Sequence, residues 1–316
     1  MSWKKIKQIL KPNPQFSWME TGAGNCWAEI LPDGRLRALV SGRDNLNRSR
    51  IGEVFFNAKN FDVIEIAEEP LIPLGERGVF DHNGTSYPWL VKNGDSEHLY
   101  FTGWTIGGHT PFINDLGLAI KNTGSSKFHK HSRAGILPRT NDEPFGTGSV
   151  CVLRTHNNWI MYYTTFTHWG KNDTDHPHYY HIRYSTSKNG IDWERSGLVS
   201  IDYDLSNGEY VVARPCVIFY KGIYLMWFSY RGEYYKIGFA ISEDGQHWTR
   251  HNEMGLDVSS EGWDSEMVSY GFVYENGNYL NMLYSGNGFG RSGLGIAEIE
   301  KSELDKVIIK LGYNLI

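Results

Sequence analysis

The chain repeats one pair of apolar strands five times, and this repeat limits the possible folds more than any other feature of the sequence. The first strands of the pairs span residues 36–42, 99–103, 159–165, 224–229 and 279–286. The second strands begin at Ile51, Leu116, Ile182, Ile237 and Leu294, so successive copies are 55 to 66 residues apart. A regular period of this length indicates a repeat architecture in which each copy forms one supersecondary unit.

Tight turns and a third strand accompany the pairs. Residues 187–193 and 242–248 form similar turns, in which Asn-Gly or Asp-Gly supplies positive φ angles and a tryptophan can pack between strands. A further short apolar strand precedes each pair. These strands predict an all-β fold, a five-bladed β-propeller with four-stranded antiparallel blades around a central axis. A two-sheet sandwich would leave the five even copies unexplained.

We expect a single domain over residues 1–316. The predicted blades lie near residues 16–72, 81–137, 143–200, 209–258 and 264–316. Either residues 1–15 or the C-terminus supplies the strand that closes the ring.

Composition excludes several classes of function. The formal net charge is −5 and there is no basic block, so nucleic acid and anionic membranes are poor partners. No apolar run is long enough to cross a bilayer, and no signal-peptide segment follows Lys4, Lys5 and Lys7. The three cysteines are too widely spaced for a disulfide framework or a zinc site. We therefore expect a cytoplasmic protein without a metal or another cofactor.

Two sets of loops differ sharply. Within a blade, the short strand that precedes each pair is counted as the first, and the pair supplies the second and third. The turns between the first and second strands of each blade are plain hairpins, such as residues 32–34 and 275–277. The loops between the second and third strands are longer and rich in Arg, Trp, His, Tyr and Asn, and they span residues 42–50, 103–115, 166–181, 230–236 and 286–293. Because functional loops are carried on a rigid scaffold, we expect the site at the end where these loops meet.

An acid precedes the inner strand of every blade at nearly the same distance. These acids are Glu20, Asp81, Glu143, Glu209 and Asp264, and Glu266 follows closely. A ring of carboxylates would repel itself unless some members were protonated or paired, and such crowding separates pKa values as a general acid and a general base require. The alternative is that about half of the ring caps turns or forms surface pairs.

The blade pattern resembles the five-bladed propeller superfamily of arabinanases, β-xylosidases, invertases and mannoside phosphorylases. Residues 224–248, YLMWFSYRGEYYKIGFAISEDGQHW, carry the resemblance most clearly. It implies a base or nucleophile from blade one, a supporting Asp from blade two and a general acid from blade three. By position, Asp81 matches the supporting Asp and Glu143 is similar to the general acid. Blade one departs from the pattern and leaves only Glu20 or Glu29 as imperfect candidates.

Three functions are compatible with these residues. The first is a glycosidase for a small glycan, with Glu143 as acid and Asp81 as its orienting partner. The second is a phosphorylase or a glycosyl-transfer enzyme of surface-polysaccharide metabolism, which the loop cations Arg43, Arg231 and Arg291 suggest. The third is a non-catalytic glycan-binding propeller, which would need no paired acids. Each predicts a small-molecule or oligosaccharide ligand.

The candidate site residues follow from these arguments. The candidate catalytic residues are Asp81, Glu143, Glu209, Asp264 and Glu266. The candidate substrate-binding residues are Glu20, Arg43, Trp104, His109, His168, Trp169, Arg214, Arg231 and Asn287. Trp104, Trp169 and Tyr234 offer aromatic faces to sugar rings.

A histidine-rich loop raises a metal hypothesis. Its plausible ligands by residue type are His168, Asp173, Asp175, His176, His178 and His181. Their spacing follows no defined metal motif, so exposed loop histidines are favoured over a metal site. Cys26, Cys151 and Cys216 are expected to pack on or near the inner strands.

Overall fold

The computed structural model describes residues 3–171 and 175–316, and strands dominate it. The strands are β1 (Lys4–Leu10), β2 (Gly22–Ile30), β3 (Arg35–Arg43), β4 (Ser49–Asn57), β5 (Val63–Ile66), β6 (Gly84–Asn93), β7 (Ser96–Thr105), β8 (Ile113–Asn122), β9 (His129–Lys130), β10 (Thr147–Arg154), β11 (Trp159–Trp169), β12 (His178–Ser187), β13 (Trp193–Ile201), β14 (Val211–Tyr220), β15 (Ile223–Arg231), β16 (Tyr235–Ser242), β17 (Thr249–Arg250), β18 (Ser269–Asn276), β19 (Tyr279–Ser285) and β20 (Leu294–Glu300). The helical segments are two 3-10 turns (Leu205–Asn207 and Asn252–Met254), α1 (Asn287–Gly290) and α2 (Lys301–Lys310).

The strands pair antiparallel in five successive groups of four. The groups are β2 to β5, β6 to β9, β10 to β13, β14 to β17, and β18 to β20 with β1. A parallel bridge from Ser49 to Gly84 joins the first group to the second, and one from Tyr180 to Val211 joins the third to the fourth. The predicted all-β, propeller-like class is therefore confirmed.

The first strands of the five groups form the inner wall. β2 contacts β6, β6 contacts β10, β10 contacts β14, β14 contacts β18, and β18 contacts β2, so these strands close a cycle. The N-terminal segment supplies the fourth strand of the last group, because β1 pairs with β20. The C-terminal alternative forms helix α2 instead, which lies against β20 and buries Leu304 and Ile308.

Large aromatic side chains that precede the inner strands pack on strand glycines. Trp18 is fully buried and covers Gly42 and Gly52, where an added Cβ would collide with the tryptophan. Phe80 and Trp263 cover the corresponding glycines of the second and fifth groups. These contacts hold the approach segments of the first, second and fifth groups against their strands.

Candidate axial site

A cavity of about 350 Å³ lies at the loop-rich end of the inner strands. Its lining comes from the first residues of β2, β6, β10, β14 and β18, and from the loops between the second and third strands of the groups. These are the loops that the sequence singles out by their composition. The cavity has the size of a small-molecule site.

Every inner strand is irregular near this cavity. The pairing register of β2, β6, β10, β14 and β18 with the next strand shifts there, as it does at a β-bulge. Tyr87, Arg214 and Tyr270 lie at these shifts and have φ angles of 53°, 52° and 60°. Such angles are uncommon for residues other than glycine and are held in place by the surrounding structure. We call this layer the floor of the cavity.

Hydroxyl groups from the second strands hold the floor in place. Each accepts a hydrogen bond from a backbone N–H of the following group, so the bonds tie neighbouring groups together. The bonds are Asn25 N to Ser285 Oγ (2.8 Å), Tyr87 N to Ser41 Oγ (3.1 Å), Arg214 N to Thr164 Oγ1 (3.3 Å) and Tyr270 N to Ser229 Oγ (2.7 Å). All four hydroxyl side chains are buried.

Arg214 lies beneath the floor, which corrects its predicted role. Its side chain is fully buried and donates hydrogen bonds to the carbonyl oxygens of Cys26 (2.6 Å), Val150 (3.1 Å) and Pro88 (3.2 Å). The guanidinium also lies 5.5 Å from the centre of the Trp89 ring. Because the side chain has no exposed surface and is absent from the lining, Arg214 does not contact a ligand in the cavity.

Cationic side chains line one side of the cavity and aromatic side chains line another. Arg291 from the fifth group and Arg43 from the neighbouring first group form a cationic arc. Trp104, Phe112 and Phe166 from the second and third groups form an aromatic arc. The arcs meet where the Arg43 guanidinium lies 5.7 Å from the centre of the Trp104 ring. Arg43 and Trp104 therefore lie in the cavity where the sequence argument placed its binding residues.

Four tyrosines bring hydroxyl groups to the cavity in two pairs. Tyr180 Oη and Tyr235 Oη are 2.5 Å apart, and the rings of Tyr87 and Tyr270 meet edge to face at 5.1 Å. Burial raises the pKa of all four phenols above its usual value. They therefore stay protonated at neutral pH. In the Tyr180–Tyr235 pair one hydroxyl donates to the other, whose own hydrogen is free for a ligand.

His178 lines the cavity as a neutral ring. Burial, helped by the nearby charge of Arg231, lowers its pKa to about 4. The ring stacks on Tyr180 with a centroid separation of 4.9 Å. A neutral imidazole offers one donor and one acceptor, so His178 adds hydrogen-bonding capacity and no charge at neutral pH.

The predicted catalytic acids occupy a repeated position outside the cavity. Four of them are at most 8% exposed, and each pairs with a cation from the outermost strand of its own group. The pairs are Asp81 Oδ2 with Lys130 Nζ (2.5 Å), Glu143 Oε2 with Arg195 Nη1 (2.8 Å), Glu209 Oε2 with Arg250 Nη1 (2.8 Å) and Asp264 Oδ2 with Lys5 Nζ (2.8 Å). The regular spacing of acids thus corresponds to a regular set of buried ion pairs.

Glu143 has the most partners of these acids. Tyr163 Oη donates to its Oε1 at 2.6 Å and Arg183 Nη1 does so at 3.1 Å, in addition to the pair with Arg195. No carboxylate of the described residues lines the cavity. A two-carboxylate glycosidase needs two such groups on either side of the bond, so this geometry gives no support to the predicted acid and base roles.

The first group departs from this pattern. Glu20 is only partly buried, and its carboxylate accepts a long hydrogen bond from Asn45 N (3.4 Å). The buried acid of this group is Asp44, which pairs with Arg48 at 2.8 Å. Glu29 lies near the hairpin end of β2, far along the strand from the cavity. Neither Glu20 nor Glu29 is part of the lining.

Glu266 and Asn287 also lie outside the lining. Glu266 is exposed, and its backbone N–H donates to Asn287 Oδ1 at 2.9 Å. Asn287 Oδ1 accepts a second bond from Met267 N (3.3 Å), and its Nδ2 donates to Gly262 O (3.2 Å). The amide of Asn287 therefore organises the surrounding turns, which corrects its predicted role as a ligand contact.

The other predicted binding residues are not part of the lining; they are His109, His168, Trp169 and Arg231. His109 is exposed, and the rings of His168 and Tyr179 stack at 4.0 Å. Trp169 stacks on Phe166 at 5.2 Å, and the Arg231 guanidinium lies 5.4 Å from the centre of the Tyr235 ring. Tyr234 is likewise absent from the lining and lies under Lys236.

Sequence reasoning does not identify the four tyrosines and considers His178 only as a plausible metal ligand, although the chain holds a signal for two of the tyrosines. A Ser–Tyr pair opens the inner strand in both the second and the fifth groups, as Ser86–Tyr87 and Ser269–Tyr270. This repetition could have identified the two floor tyrosines. Tyr180 and Tyr235 carry no comparable repeat, because they come from the third strands of different groups.

The histidine-rich loop makes local contacts. Within the described residues, no three His, Cys, Asp or Glu side chains lie close enough together to hold a metal ion, and Asp173 falls outside the described residues. His181 Nδ1 is 3.1 Å from Asp202 Oδ1, and the His176 ring stacks on Tyr210 at 3.6 Å. The three cysteines are buried and unpaired, and burial raises the pKa of each thiol.

Comparison with known proteins places this geometry among glycan-active folds. No family model matches the chain. A solved glycoside hydrolase superposes with a TM-score of 0.73 at 14% identity, covering 94% of this chain and 92% of that one. A solved structure from the GH130 family of mannoside phosphorylases superposes with a TM-score of 0.68 at 14% identity, covering 95% of this chain and 94% of that one. That family is described as containing glycoside hydrolases that target β-1,2 mannosidic linkages in Candida mannan. At this identity the likeness establishes the fold.

Sequence relatives narrow the assignment. A 1,2-β-oligomannan phosphorylase of Thermoanaerobacter is 26% identical over 185 residues, which cover 55% of this chain and 54% of that protein. Two Mycobacterium tuberculosis proteins described as uncharacterized, MT1551 and Rv1502, are each 35% identical over 302 residues, which cover 95% of this chain and 100% of the relative. Across the described residues, no helix has both the length and the apolar character needed to cross a membrane. The chain belongs to the family of MT1551 and Rv1502, and it has the fold of the glycoside hydrolases and mannoside phosphorylases.

Proposed function

We propose that this chain is a glycosidase-like, carbohydrate-active enzyme that holds a sugar in the axial cavity. The observation that carries the proposal is the lining, which joins an aromatic arc to neutral hydroxyl and amide groups. Aromatic faces pack on the C–H faces of sugar rings, while hydroxyls and amides satisfy the sugar hydroxyls. The fold shared with glycoside hydrolases and mannoside phosphorylases supports the same class of ligand.

The architecture that we propose for this function is one five-bladed propeller domain over residues 1–316. Each antiparallel group is one blade, and the closed cycle of inner-strand contacts supports a central axis. The unpaired cysteines fit a reducing compartment, so we propose a cytoplasmic location. The ligand is then an intracellular glycan or glycoconjugate.

We favour phosphorolysis or glycosyl transfer over hydrolysis. Among the described residues the lining holds no carboxylate pair for hydrolysis, whereas a phosphorylase receives its nucleophile from the co-substrate. In such a step a phosphate oxygen bonds to the anomeric carbon, the glycosidic C–O bond breaks, and the leaving oxygen takes a proton. The Tyr180–Tyr235 hydroxyl pair gives this proton to the leaving oxygen and regains one from the attacking hydrogen phosphate, so that no phenolate remains.

The test uses short β-1,2-linked mannosides, chosen from the activities named for the similar proteins. The purified protein is incubated with them in phosphate buffer and in phosphate-free buffer, and products are followed by phosphorus and proton NMR. Mannose 1-phosphate formed only with phosphate would support phosphorolysis. Free mannose released equally in both buffers would contradict it and favour hydrolysis.

A non-catalytic glycan-binding protein is the second candidate, and the absence of a carboxylate among the described lining residues favours it. It predicts binding without turnover of any glycan, with or without phosphate or a sugar nucleotide. Binding is measured by calorimetry, with Trp104→Ala as the cavity variant and Tyr279→Phe as an exposed control. A sugar that binds and is never converted would decide for this candidate.

A further inference from the structure

The arginines around the axial cavity differ from those around the buried acids. The four near the cavity, none of which forms an ion pair with a carboxylate of the described residues, are Arg43, Arg214, Arg231 and Arg291. The three around the acids, Arg183, Arg195 and Arg250, each contact a carboxylate. Within the described residues, the arginines beside the buried acids therefore have carboxylate partners, whereas the four arginines near the cavity have none.

Arg214 is the extreme case. Its side chain is fully buried, its Nε has no hydrogen-bond partner, and its other nitrogens hydrogen-bond only to backbone carbonyls of the described residues. A buried charge without a counter-charge is costly, and carbonyl dipoles compensate it only in part. The buried Nε of Arg231 likewise has no partner. An anion in the cavity would lie close above this unbalanced charge.

Arg43 and Arg291 have hydrogen-bonding capacity left for such an anion. Arg43 uses one terminal nitrogen on the carbonyl and side-chain oxygens of Asn47, at 2.9 and 3.3 Å. The Arg291 side chain makes no hydrogen bond within the described residues, and both arginines line the cavity. A guanidinium group with free N–H donors suits bidentate binding of phosphate or carboxylate.

We propose that the sugar held in the axial cavity carries an anionic group, a phosphate or a carboxylate, which binds between Arg43 and Arg291 while the sugar ring packs on Trp104, Phe112 and Phe166. This inference rests on the proposed function and names its substrate class. The anion belongs to the sugar because the cationic and aromatic arcs line one cavity of about 350 Å³ and meet at the Arg43–Trp104 contact. A cavity lined by one sign of charge also concentrates ligands of the opposite sign.

Calorimetry with matched ligands tests the proposal. Glucose, galactose and mannose are each offered as the neutral sugar, the 1-phosphate and the 6-phosphate, together with the two uronic acids glucuronate and galacturonate and with inorganic phosphate alone. For at least one sugar the 6-phosphate or the uronic acid should bind about tenfold to a hundredfold more tightly than the neutral form. A preference confined to the 1-phosphates would contradict the inference, because a 1-phosphate is also the product of phosphorolysis. Phosphates and uronic acids distinguish the two sources of the charge.

Variants locate the anion. Arg43→Gln and Arg291→Gln should each remove about tenfold of the preference for the anionic form, and should leave the affinity for the neutral sugar nearly unchanged. Arg154→Gln, on an exposed residue at the end of β10, should leave the preference as it is. Folding of each variant is checked by its thermal transition.

Three results would overturn the proposal. Neutral sugars that bind as tightly as their phosphates would refute the anionic class and leave the proposed function standing. Inorganic phosphate alone that binds as tightly as any sugar phosphate would show that the anion is separate from the sugar. Binding of no sugar in any form would refute the proposed function as well.

Discussion

Replacing Glu143 with glutamine separates a structural role from a catalytic one. The carboxylate is 2% exposed and has three donors, Arg195, Arg183 and the hydroxyl of Tyr163. Glu143→Gln keeps the shape but removes the negative charge, which leaves two arginines facing a neutral amide. Removing one partner of a buried ion pair costs about 3 to 5 kcal/mol in the free energy of unfolding.

The size of the chain sets the expected change in melting temperature. For a protein of this length, 1 kcal/mol lowers the thermal midpoint by about 2 °C, so Glu143→Gln should melt about 6 to 10 °C below the wild type. Differential scanning calorimetry measures the midpoint, and urea unfolding measures the free energy. Glu266→Gln is the matched control, because Glu266 is exposed and its loss should cost less than about 0.5 kcal/mol.

A second acid and the activity of Glu143→Gln separate the two roles. Asp264→Asn should also destabilise the protein, because Asp264 occupies the same repeated position and pairs with Lys5. A Glu143→Gln variant that melts with the wild type, and yet has lost turnover of a glycan, would show that Glu143 acts in catalysis. That result would restore the role that the family resemblance assigns to it.

Three further predictions follow from the floor and the lining. Ser229→Ala removes the acceptor for the Tyr270 N–H and should lower the free energy of unfolding, measured with urea, by about 1 to 2 kcal/mol. Ser302→Ala, on an exposed residue, should leave it unchanged. Equal stabilities of the two variants would contradict the role of the floor hydrogen bonds. Tyr235→Phe keeps the ring but loses the hydrogen bond to the Tyr180 hydroxyl, and it should weaken sugar binding about threefold to tenfold in calorimetry, whereas Tyr279→Phe should not. Unchanged affinity would show that this hydroxyl pair does not contact the sugar. The pKa of His178 is about 4 in the folded protein and about 6.5 when unfolded, so between these values the unfolded state binds the extra proton and stability should fall as the pH drops from 6.5 toward 4. This part of the pH dependence should vanish in His178→Phe. A variant that keeps the full slope would assign the dependence to other groups.

The repeated strands could be predicted because their pattern is local. The apolar strands and the Asn-Gly and Asp-Gly turns lie within one or two neighbouring strands, and the same pattern recurs in each copy. The five antiparallel groups follow this pattern closely. The contrast between plain hairpins and rich loops is also local. It correctly located the end of the molecule at which the cavity opens.

The roles of the acids could not be predicted because they depend on distant partners. Asp264 and Lys5 are 259 residues apart along the chain, and only closure of β1 onto β20 brings them together. The spacing of acids is the same whether they form a catalytic ring or a set of ion pairs. Burial and the position of the partner decide between the two.

The sequence by itself determined the all-β repeat, the number of strand groups and the face on which the long polar loops lie, because each depends on interactions between residues that are close along the chain. The tertiary structure alone decided what occupies the axis. Strand bulges directed Tyr87 and Tyr270 into the lining and Arg214 beneath it, while the outer strands drew the acids away into ion pairs. These positions follow from how five groups meet around a common axis, and no single group contains that information.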